Sequence, residues 1–204
     1  MPEVRHVLFD ADGVLQDLPG GWVAAMEPYL GERVLDFLHE TWADELPMLA
    51  GRGDYLPLLA ATLAKYGVRT PVQEVYDAVW KNIVLVEESL AIVRALKRNG
   101  YGVHLGTNQE CYRGGYMRTA LGYDELFDVS CYSYDLGVAK PDPAFFTRAA
   151  ERIGATPDSI LFIDDTPKNV TAARTAGLHA EHWTFTQGHA TLQTHLTTHG
   201  ITAT

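Results

Sequence analysis

Short apolar runs that end in a loop and show no two-residue alternation recur along this chain, and they restrict its fold more than any other feature. Residues 4–9 form one such run, which stops at Asp10 with Gly13 in the turn that follows. Similar runs occupy residues 102–106, 129–132 and 160–163 and, more weakly, 178–183. Strands covered by helices on both faces read this way, because neither face has to be polar. Helical patterns lie between the runs. Val86, Leu90, Val93 and Leu96 recur at three- and four-residue spacing, and Gly100 is placed to stop that helix. Asp142-Pro143 supplies an N-cap followed by proline at the first helical position. Phe146, Ala149, Ala150 and Ile153 then share a face that Gly154 closes, and residues 169–176 form a helix of small residues ended by Gly177. The alternation predicts an α/β fold with a parallel sheet and right-handed crossovers.

Residues 17–85 break this alternation. Leu56, Leu59, Leu63 and Tyr66 share one helical face, and residues 72–84 predict a second helix. A helical stretch this long is too much for one crossover, so it is expected to be a helical cap inserted into a core of residues 1–16 and 86–204. Leu192 and Leu196 predict one peripheral helix in the tail.

At 204 residues the chain has room for one core with a smaller insert, and 47% hydrophobic residues supply an ordinary globular core. The net charge of −10 argues against nucleic-acid backbones and anionic membranes as partners. No apolar run approaches the ~20 residues that span a bilayer. The N-terminus enters a strand directly without a signal-peptide pattern, and Cys111 and Cys131 make no metal or redox spacing. A cytoplasmic protein with reduced thiols is expected. Nothing in the chain fixes its oligomeric state.

Four segments at or just after strand ends carry the chemistry: Asp10-Ala11-Asp12-Gly13, Gly106-Thr107-Asn108, Lys140-Pro141 and Asp164-Asp165. Open parallel sheets place their ligands at that edge. Singly, each has a plain alternative: a solvated turn for Asp164-Asp165, a helix N-cap for Thr107, a surface residue for Lys140. In this order, with a cap-sized insert between the first two, the chain resembles the haloacid dehalogenase superfamily, in its phosphatase branch with a helical cap. The resemblance covers essentially the whole chain and implies a Rossmann-like core.

The resemblance also implies roles. Asp10 matches the nucleophile, and Asp12 the acid/base that protonates the leaving alkoxide and then takes a proton from water. Thr107 and Lys140 match the groups that hold and neutralise the phosphoryl oxygens, with Asn108 a further candidate for orienting substrate. Mg²⁺ would be held by Asp10, the backbone carbonyl of Asp12 and Asp165, with Asp164 contributing directly or through water. Mg²⁺ and Lys140 would then make a cationic pocket in an acidic protein. The substrate implied is a small phosphate monoester, a sugar phosphate or similar metabolite. Asn169 stands where the family often places another acid, a variation also found among its sugar-phosphate phosphatases.

Other residues have two readings. Arg52, between Gly51 and Gly53, either reaches over the pocket from the cap or belongs to a turn that presents Asp54 as a helix cap. Trp22, Trp42 and Trp80 either line a substrate wall or fill a core. His195 and His199 have zinc-compatible helical spacing, yet a solvated helix explains them. Three rival activities remain open: a sugar phosphomutase, a 2-haloacid dehalogenase, against which Asp12 speaks, and a non-catalytic binding protein.

Overall fold

The computed structural model describes residues 3–203. In chain order the strands are β1 (His6–Phe9), β2 (Gln16–Asp17), β3 (Val84–Leu85), β4 (Gly102–Thr107), β5 (Val129–Tyr132), β6 (Ile160–Asp164) and β7 (His179–His182). The helices of the first half are α1 (Gly21–Leu30), α2 (Val34–Leu49), α3 (Tyr55–Lys65) and α4 (Val72–Val79). Those of the second half are α5 (Glu87–Arg98), α6 (Cys111–Thr119), α7 (Tyr123–Leu126), α8 (Ser133–Leu136), α9 (Pro143–Ile153), α10 (Pro167–Thr175) and α11 (His189–Thr198).

Five strands form a sheet in the order β5-β4-β1-β6-β7, and every pairing in it is parallel. The chain builds outward from β1 to one side and then returns to build on the other, so the order reverses at β1. Both faces of the sheet are covered, which explains the missing alternation in the sequence. Val7, Phe9, Val103, Leu105, Leu161 and Ile163 pack on one side with α5 and α11. Leu8, Ile160 and Phe162 pack on the other with Phe145, Phe146 and Ala149 of α9 and Ala173 of α10.

Helices α1–α4 enclose a separate apolar cluster that includes Met26, Phe37, Tyr55, Leu59, Tyr76 and Trp80. The chain enters and leaves this layer on one antiparallel ribbon, with Gln16 opposite Leu85 and Asp17 opposite Val84. That pairing corrects the helix expected over residues 72–84. Helix α4 stops at Val79, and the β-branched Ile83 and Val84 lead into a strand that has a partner waiting.

The tail also differs from expectation. Helix α11 is not merely peripheral, because Leu192 and Leu196 are buried in the main core. His195 and His199 both approach Glu181, at 3.6 and 2.8 Å, rather than forming a metal site. Cys131 is buried, Cys111 is exposed and both are free thiols. No helix among the described residues is long and apolar enough to cross a membrane.

Phe162 sits at the centre of the second core, edge-on to Phe146 with ring centroids 5.0 Å apart. Phe162→Ala is expected to cost about 3–5 kcal/mol in urea unfolding, because the close-packed site cannot collapse around the cavity. A loss below about 1 kcal/mol would contradict this packing.

Candidate active site

The reversal of strand order at β1 opens a crevice at the carboxyl edge of the sheet, and Asp10 stands in it. Its N–H donates to the carbonyl of Ile163 at 2.9 Å, so it is still held in register with β6. Asp164, the last residue of β6, lies beside it with a fully buried side chain. Lys140 joins the two acids: its Nζ is 2.8 Å from Asp10 Oδ1 and 2.6 Å from Asp164 Oδ2. Although burial opposes its charge, these carboxylates raise the Lys140 ammonium above the ordinary lysine value. Burial pushes the Asp10 carboxyl well up, and the neighbouring ammonium works against that rise.

Two amide side chains fix this arrangement. Asn108 Nδ2 donates to the Lys140 carbonyl and Asn108 Oδ1 accepts from the Lys140 N–H, both at 2.8 Å. Asn108 therefore clamps the loop that delivers the lysine. Asn169 donates to both oxygens of Asp164, at 3.0 and 3.1 Å, and the Thr166 N–H adds a third bond at 2.7 Å. Position 169 acts here as a hydrogen-bond donor, a role that an ionised acid could not fill.

Asp165 is less constrained. It is half-buried, and its Oδ1 accepts from the Thr166 hydroxyl at 3.1 Å. Burial, and then the adjacent Asp164, push its carboxyl above the usual range. Gly13 makes room for it: the residue has φ +75°, and a Cβ there would stand 2.4 Å from Asp165 Oδ2. One oxygen each from Asp10, Asp164 and Asp165 lie within 4.8 Å of one another. Three carboxyl groups beside one ammonium form an all-oxygen donor set that is net negative when the acids are ionised. That chemistry fits a hard divalent cation such as Mg²⁺.

Asp12 points elsewhere. Arg113 grips it as a fork, with Nη1 2.6 Å from Oδ2 and Nη2 2.8 Å from Oδ1. Gln16 and Gln109 donate to the same carboxylate, each at 2.9 Å. Burial would raise this acid, but Arg113 and the two amides hold it down to about 2. Arg113 also donates to the Trp80 carbonyl in the helical layer at 2.8 Å. Glu110 caps α6 by accepting from the N–H groups of Tyr112 and Arg113, and it accepts from the Tyr76 hydroxyl as well.

Two cavities adjoin the cluster. One of about 120 Å³ is lined by Asp12, Asn108, Arg113 and the helical-layer residues Trp22, Trp42, Glu45 and Trp80. The other, about 460 Å³, lies on the far side of Lys140 and includes Arg52 and Leu46 but not Asp12. Arg52 is exposed there and has no ion pair with the acids among the described residues. Asp54 caps α3 by accepting from the Leu56 N–H at 3.3 Å. Thr107 is buried near the acids, and its Oγ1 accepts from Gln109 Nε2 at 3.1 Å.

The structure thus gathers Asp10, Asp164, Asp165 and Lys140, with Asn108 behind Lys140, Thr107 joined to Asp12 through Gln109, and Arg52 off to one side. Arg113, Gln109, Gln16 and Glu45 have no counterpart in the motif reading. Gln109 and Arg113 are four residues apart at the start of α6, directly after Thr107-Asn108. That spacing is a signal visible in the sequence, whereas Glu45 on α2 has none.

The fold is a doubly wound parallel α/β sheet with clustered acids and a buried lysine at its switch point. The family model for haloacid dehalogenase-like hydrolases matches residues 4–177, and the chain belongs to that family. It is 28% identical over 191 residues to a phosphoglycolate phosphatase of Yersinia pestis, covering 85% of this chain and 78% of that protein. It is 26% identical over 186 residues to a phosphorylated carbohydrates phosphatase of Thermotoga maritima, covering 86% and 82%. A HAD family enzyme of Bacteroides thetaiotaomicron, solved as a magnesium complex, shares the fold with a TM-score of 0.78 at 18% identity, over 94% of this chain and 98% of that one.

Glu45 is pushed up to about 7 by burial and by Glu110, with Asp12 adding to the rise and Arg113 opposing it. A carboxyl raised on folding binds its proton more tightly in the folded state, so stability falls as pH climbs from near 4.5 through 7. Glu45→Gln removes that fall. Thermal melting should show the variant more stable than the natural protein at pH 8, with the gap closing by pH 5. An unchanged gap would mean that Glu45 is not strained in the fold.

Proposed function

We propose that this chain is a Mg²⁺-dependent phosphatase that hydrolyses a small phosphorylated metabolite through a phosphoaspartate on Asp10, with residues 17–85 acting as a cap. The family is one of hydrolases, and its two named relatives are phosphatases of small phosphate esters. The observation that carries the reading is the buried cluster of Asp10, Asp164 and Asp165 with Lys140 between two of its acids.

An Asp10 oxygen attacks phosphorus, the bond from phosphorus to the alkoxide oxygen breaks, and an acyl-phosphate forms. Lys140 and the Thr107 hydroxyl hold the phosphoryl oxygens. Asp12 gives a proton to the departing oxygen, then takes one from the water that attacks the acyl-phosphate, which restores Asp10 and releases phosphate. The Arg113 fork holds Asp12 as the carboxylate, the form suited to the second step. For the first it must leave the fork and take up a proton from solvent, to which 44% of its side chain is exposed. Asp10, Asp165 and the Asp12 carbonyl would hold Mg²⁺, with Asp164 kept in place by Asn169 and Lys140. The ion supplies positive charge against the phosphoryl oxygens when bound.

Asp10→Asn should fold normally and lose phosphate release from p-nitrophenyl phosphate by at least about a thousandfold. Chelation with EDTA should stop the natural protein and added Mg²⁺ restore it. An Asn variant with unchanged turnover would refute the assignment. An isomerised sugar phosphate in place of free phosphate would instead mark a mutase.

Gly13→Ala tests the cation site separately. Its Cβ would strike Asp165, so Mg²⁺ binding followed by calorimetry should weaken at least about tenfold while the far-ultraviolet circular dichroism is kept. Unaltered binding would remove Asp165 from the ligand set.

A further inference from the structure

The two relatives are named for different substrates, and the cavity on the Asp12 side bears on the choice between them. This inference rests on the phosphatase reading, because the acid that protonates a leaving oxygen must face the leaving group. The cavity of about 120 Å³ contains Asp12, whereas the larger one does not, so the alcohol half of the ester belongs in the smaller.

Most charged groups around this cavity are already committed. Asp12 is held by the Arg113 fork. Glu110 is bonded to two N–H groups of α6 and to Tyr76. Arg113 also lies 5.8 Å from the centre of the Trp22 ring, which covers that indole. Glu45 has no hydrogen bond or ion pair among the described residues. It sits three residues after Trp42 and four before Leu49 on α2, and all three line the cavity. Trp42 is 47% exposed and lines the cavity.

An open indole beside an uncommitted carboxyl group suits C–H faces and hydroxyl groups. A carboxylate in this space would lie among Asp12, Glu45 and Glu110, three acids against the one guanidinium of Arg113. We propose that Glu45 and Trp42 select the esters of small uncharged polyhydroxylated alcohols, sugar or polyol phosphates, over phosphate esters carrying a carboxylate.

The test compares kcat/KM for glycerol 3-phosphate and hexose 6-phosphates with that for phosphoglycolate, with p-nitrophenyl phosphate as a general substrate and Mg²⁺ present. At least one sugar or polyol phosphate should exceed phosphoglycolate by about tenfold or more. Glu45→Lys should shift the ratio of phosphoglycolate to sugar phosphate at least about tenfold toward phosphoglycolate. Trp42→Ala, at an exposed position that threatens folding less, should raise KM for the sugar phosphate several-fold. Preference for phosphoglycolate, equal rates on all esters, or a ratio that Glu45→Lys leaves unmoved would overturn the inference while leaving the phosphatase reading intact. No phosphate release from any ester, p-nitrophenyl phosphate included, would overturn both.

Discussion

A buried lysine ammonium bridging two buried carboxylates is the interaction on which the rest of the site depends. Taking any one of these charges out of water alone would cost several kcal/mol. Asp10, Lys140 and Asp164 are tolerated together because the ammonium pairs with both acids and because Asn169 and the Thr166 N–H bond the Asp164 carboxylate, while Asn108 holds the Lys140 backbone. The same network orients Asp10 without adding another charge. The excess of acid oxygens over the one ammonium is the chemistry that a divalent ion fits.

The sheet order makes this possible. Asp10, Thr107, Lys140 and Asp164 are far apart in the chain, yet they follow strands that lie side by side around the point where the strand order reverses. The carboxyl edge of a doubly wound sheet leaves a crevice at that point, because the flanking crossovers run in opposite directions. Lys140 and the proposed cation resolve the electrostatic difficulty of a chain with net charge −10 that binds an anion. The attraction is local, within a few ångströms in a low-dielectric crevice, while the acidic surface is screened by salt.

Arg113 ties this chemistry to the helical layer. It binds Asp12 with one edge and the Trp80 carbonyl with Nε, while Glu110 beside it receives the Tyr76 hydroxyl. The position of Asp12 beside the smaller cavity is therefore coupled to the packing of α4 on the core. Trp42 and Glu45 reach the same cavity from α2, so the helical segment contributes a wall that the α/β core lacks.

The α/β core and the acids at its strand ends were legible in the linear chain, because both depend on local patterns. Apolar runs without alternation mark strands buried on two faces, and the residue after such a run falls at the sheet edge whatever the rest of the chain does. The limits of α9 were readable for the same reason, since Asp142-Pro143 and Gly154 are stop and start signals acting within one turn. What stayed hidden involves partners distant in sequence. The strand at Val84 exists only because Gln16–Asp17 pairs with it, so a helical reading continued past Val79. Burial of Leu192 and Leu196 in the main core follows from the space left beside the sheet. The Arg113 grip on Asp12 joins residues 101 positions apart, and Glu45 reaches the cleft only when α2 is docked. Sequence alone determined which chemical groups stand at the sheet edge; tertiary packing decided which of them touch and which are left to face a substrate, because charge and hydrogen-bond satisfaction act through space rather than along the chain.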